Sequence, residues 1–163
     1  MRILSQDCGL LDVNGTTTDG STALHFAASN ALADVVQELL ERGADPNQEN
    51  VFRCTPLQWA AYCGHCDVVK LLLDAGSDPD TIRHAGFTPL HNAAFWGHTD
   101  VVKILLDSGA SVNVEEEDGK TPLSLARKYG RKDVVSILQA NGARQTTTKR
   151  KKYVECTLRK IHP

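Results

Sequence analysis

The chain has 163 residues, 41% hydrophobic and 23% charged, with a formal net charge of −2. This is ordinary globular usage, which excludes wholesale disorder, and the small net charge excludes a general polyanion binder. No apolar run reaches the roughly 18 residues of a membrane span.

In chain order, the first residues, Met1 to Asp7, carry no apolar stretch of a secretory signal. Asp12-Val13-Asn14 stands in register with Ser111-Val112-Asn113 further on. Residues 1–18 therefore read as a degenerate half-unit whose Ile3, Leu4, Leu10 and Leu11 cover the unit that follows. From there a pattern recurs. Thr22-Ala23-Leu24-His25 returns as Thr55-Pro56-Leu57-Gln58, Thr88-Pro89-Leu90-His91 and Thr121-Pro122-Leu123-Ser124, always at a step of 33. Paired alanines (27–28, 60–61, 93–94), paired valines (35–36, 68–69, 101–102, 134–135) and a glycine at 43, 76, 109 and 142 keep the same register.

The local chemistry of each copy predicts two helices. The Thr hydroxyl is an N-cap and the Pro sits at the first helical position. Small alanines allow neighbouring copies to approach. Gly64, Gly97 and Gly130 then permit a left-handed turn. A second helix follows, such as Asp67 to Ala75, with a wide apolar face and an aspartate (34, 67, 100, 133) at its positive end. The first copy departs, with Ala31-Leu32 where Gly-His is expected, so its turn lacks the glycine. In the fourth copy Arg127, Lys128, Arg131 and Lys132 read as a polar cap. No copy can bury its apolar face alone, so stacking supplies the core.

These residues resemble the ankyrin repeat family, over roughly 19–143. The resemblance implies an all-α fold, an ankyrin-repeat α-solenoid with β-hairpin fingers. The expected divisions are a half-repeat at 1–18, repeats at 19–51, 52–84, 85–117 and 118–143, and a basic tail at 144–163. Charge marks the last boundary. Residues 1–143 hold 11 basic and 19 acidic side chains, net −8, and residues 144–163 hold 7 and 1, net +6.

The resemblance also implies a function: binding a protein partner on the hairpin tips and the exposed side of each first helix. Six of the nine aromatic residues fall there in copies two and three: Phe52, Trp59, Tyr62, Phe87, Phe95 and Trp96. With Asn92, and with Leu125 and Tyr129 extending the surface, they form the expected binding face, because Trp and Tyr dominate binding hot spots. Trp59 also has a structural reading, half buried between neighbouring first helices. The acidic run Glu115 to Asp118 is read as a tip that steers basic partners.

Other chemistry fits less well. Cys63-Gly64-His65-Cys66 looks like a thiol-redox box, but such a box needs a strand before it and a βαβ setting, whereas Gly64-His65 is the repeat's own turn, matched by Gly97-His98. A zinc site from Cys54, Cys63, His65 and Cys66 lacks a second ligand pair at finger spacing. Five irregularly spaced cysteines argue against a disulfide framework and for a reducing compartment. Lys149-Arg150-Lys151-Lys152 resembles a nuclear-import signal, and a merely solubilising tail fits equally. Leu39…Asn47 and Leu105…Asn113 resemble the ankyrin asparagines modified by the oxygen-sensing hydroxylase. The expectation is a monomeric, non-enzymatic interaction module, without cofactor or metal, in the cytoplasm, the nucleus or both. The alternatives are a redox protein using Cys63 and Cys66, and a tail-driven adaptor for nucleic acid or a membrane surface.

Overall fold

A computed structural model describes residues 12–144. The hydrophobic residues of the half-unit at 3–11 and the basic segment Lys149–Lys152 lie outside the described residues.

Each Thr-led segment forms one helix pair: α1 (Ala23–Ser29) with α2 (Ala33–Glu41), α3 (Pro56–Cys63) with α4 (Cys66–Asp74), α5 (Pro89–Trp96) with α6 (Thr99–Asp107), and α7 (Pro122–Lys128) with α8 (Lys132–Ala140). The odd-numbered helices stack in one layer and the even-numbered helices in a second. The core lies between the layers. Leu24, Leu57, Leu90 and Leu123 supply its inner wall, and Val36, Val69, Val102 and Leu138 its outer wall, all essentially without solvent contact. The alanine pairs are buried too, which is why consecutive odd-numbered helices pack closely.

The caps follow the sequence chemistry. The hydroxyls of Thr55, Thr88 and Thr121 accept a hydrogen bond from the backbone N–H three residues on, and Pro opens each of these helices. At Thr22 and Thr88 the histidine of the motif completes the cap. Its Nδ1 accepts the threonine backbone N–H at 3.1 Å in His25 and 3.2 Å in His91, so Nε2 carries the proton and donates to the next copy, to Cys54 O at 2.9 Å and Lys120 O at 3.1 Å. Gln58 performs the same linkage through its amide nitrogen, to Phe87 O at 3.2 Å. At the helix turns a second ladder runs along the stack: His65 to Ser29 O, His98 to Tyr62 O and Arg131 to Phe95 O, each at 3.0 Å. Arg131 is thus a linker between the third and fourth copies. In the first copy Ala31 adopts the left-handed conformation (φ 57°) that Gly64 and Gly97 adopt elsewhere, so the irregular sequence makes the regular turn at a cost in strain.

The connections between pairs are tight turns, or tips. Each closes on itself through two backbone bonds, as in Asn50 N–H to Cys54 O at 3.1 Å with Arg53 N–H to Asn50 O at 2.8 Å. One isolated bridge joins Thr16 and Thr22, and no strand is present among the described residues. The β-hairpin fingers expected from the resemblance therefore do not appear as paired strands, because each turn contributes too few residues to extend a ladder. Among the described residues backbone bonds join adjacent tips in two places, Val51 N–H to Asp19 O at 2.9 Å and Glu117 N–H to Ala85 O at 3.1 Å. Among the described residues no such bond joins the second tip to the third.

Candidate functional site

Residues on both sides of that gap line a cavity of about 320 Å3. Cys54 and Arg83 line it from the second and third tips. Gln58, Trp59, Tyr62 and Cys63 line it from α3, with Ser29 of α1 and Asn92 of α5 at its sides. Its walls are mostly apolar, and Arg83 is the one formally charged residue among them.

The expected binding residues divide into groups. Tyr62, Trp96, Phe95 and Tyr129 form a continuous belt across the ends of α3, α5 and α7. Their ring centroids are spaced 5.2 Å (Tyr62–Trp96), 5.1 Å (Trp96–Phe95) and 4.3 Å (Phe95–Tyr129). Tyr62 is 48% exposed, and Trp96 and Tyr129 each 41%. Trp59 sits apart, half-buried, edge-on to His25 at 5.6 Å and Phe26 at 6.0 Å. Phe87 leans on His91 at 5.5 Å. Phe52 stands alone and exposed at the second tip.

Two of the expected surface residues are inside. Leu125 is 3% exposed and Asn92 4%. Both occupy the column 26, 59, 92, 125, which follows the 33-residue step. Exposed Phe26 and half-buried Trp59 share that column, so its burial increases along the stack. The acidic tip is only partly an outward negative surface. Glu116 is buried and accepts the Lys120 backbone N–H at 2.9 Å. Asp118 pairs with Lys120 Nζ at 2.6 Å, and this bond holds its carboxyl below the usual value. Only Glu115 and Glu117 present outward carboxylates without an ion-pair partner among the described residues.

The cysteine box is the turn between α3 and α4. Burial pushes the Cys63 thiol up from its ordinary value, the opposite of the lowered pKa that an attacking thiolate needs. Cys54 is pushed up in the same way, partly offset by Arg83. Among the described residues no three His, Cys, Asp or Glu side chains gather as a metal-binding set. Asn47 and Asn113 both bridge neighbouring copies, accepting from Asp78 N–H at 2.9 Å and Arg144 N–H at 2.8 Å.

Sequence reasoning passed over Arg83. Its Nη2 donates to Asn92 Oδ1 at 3.2 Å, and its guanidinium lies 4.8 Å from the centre of the Phe87 ring, a cation–π distance. Arg83 Nε and Gln58 Oε1 are buried without a hydrogen-bond partner among the described residues. The Gln58 orientation is fixed, because its nitrogen faces two carbonyl acceptors, Thr81 O at 2.8 Å and Phe87 O. The available signal was register: Arg83 stands 33 residues after Asn50 and 33 before Glu116.

Among known families, the profile described as ankyrin repeats (3 copies) matches residues 2–83 and 75–149. No curated protein matches the chain.

Proposed function

Because the chain belongs to the ankyrin repeat family, whose repeats are generally protein–protein interaction modules and typically not enzymes, we propose that it binds a protein partner along the groove between its tips and its odd-numbered helices. The observation that carries this reading is the belt. Three of its rings are exposed by two-fifths or more. Exposed, contiguous aromatic surface marks a contact site, and rings already held against one another lose little entropy when a partner covers them. In this reading the array at 19–143 is the binding unit and acts as a monomer. Its unpaired cysteines and the import-like segment Lys149–Lys152 favour the cytoplasm or nucleus.

The test is the double substitution Phe95→Ala with Trp96→Ala. The far-UV spectrum should be unchanged, while affinity for a protein retained by the wild-type chain falls by at least about 2 kcal/mol, the scale of a hot spot. Unaltered affinity with an intact fold would remove the belt from the binding surface.

A further inference from the structure

The third copy breaks the repeat at two positions, and the two departures meet. Thr17, Asn50, Arg83 and Glu116 follow one another at the 33-residue step. Three of them serve their own turn. The Thr17 hydroxyl bonds Ser21 O at 3.0 Å, Asn50 Oδ1 accepts the N–H of Phe52 and of Cys54 at 3.0 Å, and Glu116 Oε1 accepts from Lys120 N. A guanidinium has no acceptor atom, so Arg83 cannot take the place of Asn50 or Glu116. The second departure is Asn92, the polar residue in a column otherwise made of Phe26, Trp59 and Leu125. A buried amide in such a column is costly unless it is bonded. Its bond is to Arg83. The third copy has therefore exchanged a turn acceptor and an apolar packing residue for a guanidinium held from two sides, by Asn92 and by the Phe87 ring.

This guanidinium has no carboxylate partner among the described residues. In the flanking tips Glu49 pairs with Arg53 and Glu116 with Lys120, each at 3.5 Å, while the outward Glu115 and Glu117 make no ion pair with Arg83 among the described residues. The cavity it lines also takes Cys54 from the second tip, to which no backbone bond joins the third among the described residues, and its walls include Trp59 and Tyr62. Apolar walls strengthen an ion pair formed inside them, and the planar guanidinium fork matches a carboxylate.

We propose that Arg83 is the receptor for a carboxylate side chain, an Asp or Glu on an extended segment of the partner whose neighbouring apolar residues lie on the belt. This inference rests on the groove reading above. The single cation suits a carboxylate better than a phosphate, whose greater charge calls for more than one positive group. The surrounding body, net −8 over residues 1–143, repels a polyacidic tract, so the surface selects one acid set among apolar residues.

The test pans the full chain against a phage-displayed library of random peptides with no free C-terminus. The selected peptides should share one Asp or Glu flanked by apolar or aromatic residues. Arg83→Gln, panned in parallel, should lose the acid preference, and Arg83→Glu should replace it with Lys or Arg. For one selected peptide, changing its acid to the amide should weaken binding at least about tenfold in the wild type and have no effect in Arg83→Gln. Circular dichroism checks each fold. If Arg83→Gln does not fold, Arg83→Lys and the change in the peptide carry the test. Peptides that depend on Trp96 but show no acid preference overturn the carboxylate inference and leave the groove reading standing. Tighter binding of a phosphoserine in place of the acid also overturns it. Failure to enrich any peptide that Trp96→Ala releases overturns both.

Discussion

At the scale of single residues, the two motif histidines set a pH dependence. Burial lowers the pKa of both His25 and His91 from the ordinary value of 6.5. Their Nδ1 atoms must stay unprotonated to accept the threonine N–H. Below 6.5 the unfolded chain takes up protons that the folded chain refuses, so stability falls as pH drops from there toward the depressed folded values. It is complete above that window. Denaturant midpoints taken between about pH 7.5 and pH 5 should decline in the wild type, with a shallower slope in His25→Gln and His91→Gln. Glutamine is the residue that position 58 already uses for the same link. Equal slopes in all three proteins would mean that the rings titrate normally.

Among the elements, the turn joining α1 to α2 is the weak member. Ala31 holds a φ of 57°, where an L side chain costs about 1–2 kcal/mol. Ala31→Gly should therefore stabilise the protein by about 1 kcal/mol, read as a higher denaturant midpoint with an unchanged slope. The opposite change at Gly64 meets two obstacles. The backbone sits at φ 83°, and an added Cβ would lie 2.6 Å from the His98 ring. A destabilising Ala31→Gly would mean that the first copy has adapted to its alanine. The helices themselves were legible from sequence because their signals are local: threonine cap, proline, paired alanines, glycine stop. The tips were not, since a strand is defined by its partner, and each tip bonds mainly to itself.

At the scale of the whole molecule, stability is a sum of units and the interfaces between them. Leu90 is fully buried in α5, which packs against both α3 and α7. Leu90→Ala should cost about 2–5 kcal/mol and lower the denaturant slope, because a weakened centre lets the two ends unfold separately. A full slope with the same loss would show a stack cooperative enough to survive a central cavity.

The 33-residue step, with its caps and breakers, determined by itself that this chain folds as stacked helix pairs, and the belt residues Tyr62, Phe95, Trp96 and Tyr129 could be placed on one face from their register. What the tertiary structure decided was which members of a register column reach solvent. Phe26 and Leu125 occupy equivalent positions, yet one is 44% and the other 3% exposed, because burial depends on the neighbouring copy and not on the residue's own period. The same holds for Arg83. Its number in the repeat places it at a tip, but only the packing of Asn92 and Phe87 around it turns a tip residue into the charged element of a cavity.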